Sequence, residues 1–192
     1  MIKLKYGNTN TFFVGGLLID TDMASTLGAF LKELKAKGIA REDIKYVFAT
    51  HYHPDHMGLI GALMQSGVKL ILPDFQKEYV HSSDYIFERE KSTAFVPIDE
   101  SAAVVVSEEG SRAFLRTLGI DGRIIKTDSH SPDGAALILD DGSAFTGDLE
   151  PLSNADGYSD RRADALRADW KRVIAAGAKK IWFAHAPEKT IE

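Results

Sequence analysis

The stretch Ile44-Lys45-Tyr46-Val47-Phe48-Ala49-Thr50-His51-Tyr52-His53-Pro54-Asp55-His56 decides how the rest of the chain is read. Its first half, rich in β-branched and aromatic residues, reads as a short strand. Its second half places three imidazoles and a carboxylate within six residues, where strand gives way to loop. In an extended segment residues i and i+2 point the same way, so His51 and His53 can ligate one ion. Pro54 suits a tight turn, after which Asp55 and His56 at the mouth of a helix can turn towards a second ion. Neutral imidazoles with carboxylates match Zn²⁺, and Fe or Mn less selectively.

Working outward, three more segments read as strands that deliver a metal-capable side chain at or beyond their C-terminal ends. Residues 123–127 lead to His130, residues 143–147 end on Asp148, and residues 180–184 end on His185. If these ends gather on one sheet edge, five imidazoles and two carboxylates converge, enough for two ions with a water between them. The intervening chain alternates strand and helix periods. Residues 2–6, 11–14 and 17–22 form an opening strand meander, and residues 25–37 carry Leu27, Phe30, Leu31 and Leu34 at helical spacing before Gly38. A helix is expected from His56 to Gln65, a strand over residues 68–72, and helices over residues 108–118 and 161–176. Residues 135–139 and 143–146 flank Asp140-Asp141-Gly142, a strong hairpin signal. Residues 74–105 are the least regular part. Their aromatics, Phe75, Tyr79, Tyr85, Phe87 and Phe95, suit either a lid over an apolar substrate or a cover for a sheet edge. Strands interleaved with helices indicate an α/β class, and the hairpins favour a sandwich of two mixed sheets with helices outside.

The 192 residues suit a single domain, residues 1–192, with an ordinary globular composition of 44% hydrophobic and 27% charged residues. Lys plus Arg is 23 and Asp plus Glu is 28, a balance of −5, so no basic surplus points to nucleic acid. The chain has no cysteine, which excludes disulfides, thiolate metal sites and cysteine nucleophiles. No apolar run suits a signal peptide or a membrane span, so a cytoplasmic location and a small-molecule partner are expected.

Thr50-His51-Tyr52-His53-Pro54-Asp55-His56 resembles the HxHxDH signature of the metallo-β-lactamase-fold hydrolases. Ser129-His130-Ser131-Pro132, Thr146-Gly147-Asp148 and Ala184-His185-Ala186-Pro187 match the later motifs in order. The resemblance implies a four-layer αββα sandwich of two mixed β-sheets flanked by helices, with the metals at one edge. It implies that His51, His53 and His130 bind one metal, that Asp55, His56 and His185 bind the other, and that Asp148 bridges both. Two Zn²⁺ are the expected cofactors, with Fe or Mn as alternatives. A shared water, ionised between two cations, would then attack a small ester, thioester or lactone, with Asp55 as the catalytic proton shuttle. A phosphodiesterase or ribonuclease Z-like hydrolase is the first alternative, and an iron redox enzyme on the same scaffold the second. One major branch of zinc β-lactamases places a Cys where this chain has Asp148. The familiar Pro-Gly before the third-motif histidine is also replaced, with Ser129 preceding His130. Of the remaining candidates, Tyr158 could reach a substrate, Glu150 could support Asp148, and Arg161 and Arg162 could meet an anion. His81 lacks a partner pattern and reads as surface.

Overall fold

The computed structural model describes residues 1–91, 94–158 and 161–191. The chain divides into two compact units, Met1–Ser107 and Glu108–Glu192, each built on one sheet. The first sheet contains six strands in chain order: β1 (Ile2–Lys5), β2 (Asn10–Val14), β3 (Leu17–Ile19), β4 (Tyr46–Phe48), β5 (Lys69–Pro73) and β6 (Val104–Val106). Strands β1 to β3 pair antiparallel and β3 to β6 parallel, so the sheet is mixed. The β2–β3 hairpin closes through Gly15 and Gly16, both at positive φ (55° and 88°), which matches the right-handed twist of the strands it joins.

Helix α1 (Leu27–Ala36) crosses between β3 and β4 and buries Phe30 and Leu34. It stops at Gly38, whose φ of 69° lets Gly38 and Ile39 donate to the carbonyls of Lys35 and Leu34. The expected helix from His56 to Gln65 is instead two pieces, α2 (Pro54–Met57) and α3 (Ile60–Gln65). The reason is local. The His56 carbonyl, which would accept from residue 60 in a continuous helix, accepts from the backbone N–H and hydroxyl of Thr21, both at 2.9 Å. Residues 74–105 hold more order than their sequence suggests: a 3₁₀ stretch (Asp74–Tyr79), α4 (Asp84–Arg89) and the edge strand β6. Phe87 and Phe95 stack at 4.0 Å, and Phe87 is buried in the core of the first unit with Tyr79 and Phe95 packed against it. Tyr85, by contrast, is 59% exposed; residues 92 and 93 lie outside the described residues.

The second sheet runs β11-β10-β9-β8-β7 across its width. It comprises β7 (Gly122–Lys126), β8 (Ala135–Leu139), β9 (Ser143–Gly147), β10 (Lys180–Phe183) and β11 (Lys189–Thr190). Only β9 and β10 pair parallel, so this sheet is mixed as well. Helices α5 (Ser111–Thr117) and α6 (Arg161–Ala175) flank it. The inner face of α6 buries Ala163, Leu166, Trp170 and Val173, and in the same stripe the acid Asp169. The architecture is therefore α/β, two mixed sheets with flanking helices. No helix among the described residues is long and apolar enough to cross a membrane.

Candidate metal centre

In the first unit, β4 ends at Phe48 and a tight loop then carries His51 and His53 into α2, which supplies Asp55 and His56. The His51 ring lies 4.4 Å from that of His53 and 4.0 Å from that of His56, centroid to centroid. His51 and His56 are buried. His56 Nε2 stands 4.0 Å from Asp55 Oδ1, beyond hydrogen-bond reach but suited to two donors facing a common ion.

What holds this loop is a carboxylate that motif reading passed over. Asp20 follows β3 with a φ of 56°, an uncommon conformation for a residue other than glycine, and is 2% exposed. Its Oδ1 accepts from the Thr50 N–H at 2.7 Å, and its carboxylate accepts the Thr50 hydroxyl at 2.9–3.0 Å. Thr50 Oγ1, with its one proton given to Asp20, lies 3.2 Å from His51 Nδ1 and so accepts from it. Asp20 Oδ2 also stands 3.2 Å from His56 Nδ1. One buried acid thus sets the His51 tautomer through Thr50, leaving His51 Nε2 for a metal, and its charge also faces the His56 imidazole. The buried Gln76 amide donates to the carbonyls of Ala49 and Thr50, and Thr9 Oγ1 donates to the Asp55 carbonyl at 2.7 Å. The sequence signal for Asp20 was an acid directly ending an apolar strand, Leu17-Leu18-Ile19-Asp20, with Asp22 two residues on.

In the second unit Asp148 comes directly after β9, His185 two residues after β10, and His130 four residues after β7. The Ala184 N–H donates to the Gly147 carbonyl at 3.0 Å, locking the ends of β9 and β10 side by side. Asp148 Oδ1 then lies 3.3 Å from His185 Nε2, and Oδ2 lies 3.6 Å from His130 Nε2. Two donors 2.0–2.1 Å from a tetrahedral Zn²⁺ stand roughly 3.3–3.4 Å apart, so both spacings fit ligand pairs. The donor set therefore fits divalent metal on chemistry and on spacing. The His130 loop is closed on itself: Gly134 donates to Ser131, Thr127 donates to Gly134, and the Ser131 hydroxyl donates to Asp133. Its outer anchor is Asp169, which accepts from the Ser129 N–H at 2.7 Å.

Tyr158 Oη donates to Glu150 Oε2 at 2.6 Å, and the Arg162 guanidinium sits 4.8 Å over the Tyr158 ring. Hydrogen bonds from Asn154 and Tyr158 hold the Glu150 carboxyl below its ordinary value, and His130 and Arg162 add to that pull. Tyr158 is thus engaged with Glu150, the residue expected to support Asp148. His81 pairs with Asp84 at 2.8 Å on the surface, as its isolation in the sequence suggests.

The family model of the metallo-beta-lactamase superfamily matches residues 4–185. The chain belongs to the metallo-β-lactamase superfamily. Over 61 residues it is 38% identical to mouse metallo-beta-lactamase domain-containing protein 1, a match covering 32% of this chain and 23% of that relative's length. A metallo-β-lactamase family protein from Thermus thermophilus shares the fold at a TM-score of 0.66, with 19% identity over 95% of this chain and 69% of that one. A protein crystallised in a di-iron-bound form superposes at a TM-score of 0.67, with 19% identity, covering 98% of this chain and 93% of that one. As a metallo-β-lactamase-fold protein, the chain carries a cluster of His and Asp side chains placed to hold divalent metal.

Proposed function

We propose that the protein is a dinuclear metal-dependent hydrolase of a small ester, thioester or lactone. In this reading His51, His53, His130 and Asp148 would hold one cation and Asp55, His56 and His185 the other, with Asp148 shared between them. The observation that supports it is the Asp148 carboxylate. Its two oxygens stand at ligand spacing from two different imidazoles, an arrangement that one ion alone does not require.

When bound, a cation pair would acidify a water molecule and polarise the carbonyl oxygen of the substrate. The chain's own contribution is positioning. Asp20 and Thr50 hold His51 in one tautomer, the Asp20 carboxylate faces His56, and Asp169 holds the His130 loop, so little reorganisation accompanies reaction. The Asp55 side chain is 32% exposed, and it takes the proton from attacking water and returns it to the leaving oxygen or sulfur. A carboxylate bridge in a chain without cysteine suits either zinc or iron. The di-iron-bound neighbour keeps iron open as the metal, and the fold shared with rubredoxin oxygen:oxidoreductase of Desulfovibrio gigas is the reason to keep an iron redox enzyme as the second reading.

The test is metal analysis of protein purified without added metal, followed by assays on aryl esters, lactones and bis-p-nitrophenyl phosphate. About two zinc ions per chain are expected, with ester or lactone turnover abolished by chelation. Asp148→Ala should bind one ion or fewer and lose turnover. Iron with no hydrolysis would favour the redox reading, and phosphodiester turnover alone would favour the phosphodiesterase. Unchanged metal content in both His53→Ala and Asp148→Ala would refute the assignment of the site.

A further inference from the structure

Outside the ligand loops, the second unit carries a groove between the 3₁₀ turn Leu152–Gly157, helix α6 and the strands β10 and β11. One cavity of about 840 Å³ is lined by Leu152, Trp170, Lys171 and Ile174 among others. A second, of about 410 Å³, extends from the shared wall of Leu152, Trp170 and Ile174 to Phe183 and Ile191. Both volumes are those of small-molecule sites, roughly 300–1,000 Å³. Of the five large apolar side chains exposed among the described residues, two are in this groove, Leu152 (43%) and Ile174 (46%). A floor this apolar, left open to solvent, is costly unless something covers it.

The rim says what covers it. Lys189 borders both cavities, and Lys171 and Arg167 border the larger one. Arg167 is paired with Asp156 at 3.2 Å, whereas Lys171 and Lys189 make no ion pair among the described residues. Two such ammonium groups beside an aliphatic and indole floor, on a chain of net charge −5, favour a ligand with a negative head and an apolar tail. We propose that this groove binds one medium- or long-chain fatty carboxylate, with the head between Lys171 and Lys189 and the tail along Leu152, Trp170 and Ile174. Trp170 is a built-in reporter, since its Nε1 donates to the Glu150 carbonyl at 2.8 Å while its ring lines both cavities.

The proposal is independent of the hydrolase reading, and its test needs no turnover. In a Trp182→Phe background, emission of Trp170 in the metal-loaded protein is titrated with octanoate, decanoate and laurate below micelle formation, with calorimetry for stoichiometry. Expected is one saturable site that tightens roughly fifteenfold for each two added methylenes, since each buried CH₂ contributes about fourfold. Lys171→Glu/Lys189→Glu should weaken laurate at least tenfold and invert the preference over dodecyltrimethylammonium. Leu152→Asp should abolish the chain-length dependence, and the charge variants decide alone if it does not fold by circular dichroism. Absence of saturation, equal affinity for the cationic surfactant, or no effect of the charge variants would overturn the proposal. So would binding only to anionic vesicles, or a dimer in sedimentation velocity that Ile174→Asp dissolves, which would assign the groove to a membrane or to a second copy.

Discussion

Replacing Asp20 by Asn isolates one carboxylate that sets two metal ligands. The backbone should tolerate the change, because Asn adopts positive φ as readily as Asp does, and Asp20 sits at 56°. The chemistry does not tolerate it. The carboxylate accepts from the Thr50 N–H and hydroxyl and faces His56 Nδ1, all with acceptor oxygens, while an amide supplies one oxygen and a competing NH₂. Hydrogen bonds to a charged acceptor contribute about 1.5–3 kcal/mol and neutral ones about 0.5–1.5, and a buried donor left unsatisfied costs about 1–3. Two bonds weakened from charged to neutral acceptors therefore sum to about 2–3 kcal/mol, equivalent to roughly 4–12 °C in Tm for a chain of this size. Because the same carboxylate orients His51 through Thr50 and sets its charge against His56 Nδ1, metal affinity should also fall about 10–100-fold. Urea unfolding of chelator-treated protein measures the first effect, and competition against a chromogenic chelator measures the second. Thr50→Val should reproduce the part of the affinity loss that passes through His51. An Asp20→Asn protein that unfolds within about 0.5 kcal/mol of the parent and holds metal within twofold would refute the role given to Asp20.

Three further outcomes follow from named contacts. Asp169→Ala strips the Ser129 N–H of its acceptor, and the His130 loop should lose order, costing about 1–3 kcal/mol and weakening metal retention in equilibrium dialysis. In Gly58→Ala the new Cβ would lie 2.5 Å from the Ala24 nitrogen and 2.6 Å from the Asp22 carbonyl, backbone atoms that cannot swing away, so about 3 kcal/mol of stability should be lost in urea. Gly28→Ala, in α1 with nothing within 4 Å, should instead stabilise by about 0.5–1 kcal/mol and serves as the control. Hydrogen bonding from Arg112 holds the Asp140 carboxyl below its ordinary value, so its stabilising effect is present above the unfolded-state value and is lost as pH falls through the lower folded one. Carboxyl NMR should show Asp140 returning to the ordinary range in Arg112→Ala, with only the acid limb of the stability profile altered.

The legible parts of this chain were those where one short window carries both an element and its reason. The hairpin over Asp140-Asp141-Gly142 and the Gly38 stop of α1 depend on a few residues in sequence, and they stand where expected. So do the ligand-bearing ends of β4, β7, β9 and β10, because a strand followed by a histidine or aspartate is a local statement. What escaped needed a partner far along the chain. The break between α2 and α3 exists because Thr21 takes the His56 carbonyl, which periodicity over residues 56–65 cannot register. Strand β6 is three valines whose only support is pairing with Ile71, Leu72 and Pro73. The aromatics around residues 74–105 read equally as lid or as cover, and only long-range packing places Phe87, with Tyr79 and Phe95 against it, in the core while Tyr85 stays exposed.

The two units share a device that no motif announces. In each, a loop carrying metal-capable side chains is held from behind by one buried aspartate, Asp20 for the loop at His51 and Asp169 for the loop at His130. Both accept a backbone N–H at 2.7 Å from the residue just before a histidine, Thr50 in one case and Ser129 in the other. An acid is expensive to bury, at 2% and 3% exposure here, so its place among apolar neighbours needs an offsetting use. Fixing the peptide that precedes an imidazole is such a use, because it sets the direction of the ring without spending a ligand. The same logic separates Asp169 from Asp164, the other acid of α6: it falls on the buried stripe with Leu166, Trp170 and Val173, where helical period alone would place an apolar residue. An acid in an apolar register is thus itself a readable signal for the support of a metal loop. The Asp20 and Asp169 substitutions test it in both units, each with a stability measurement and a metal-retention measurement that a purely structural role would separate.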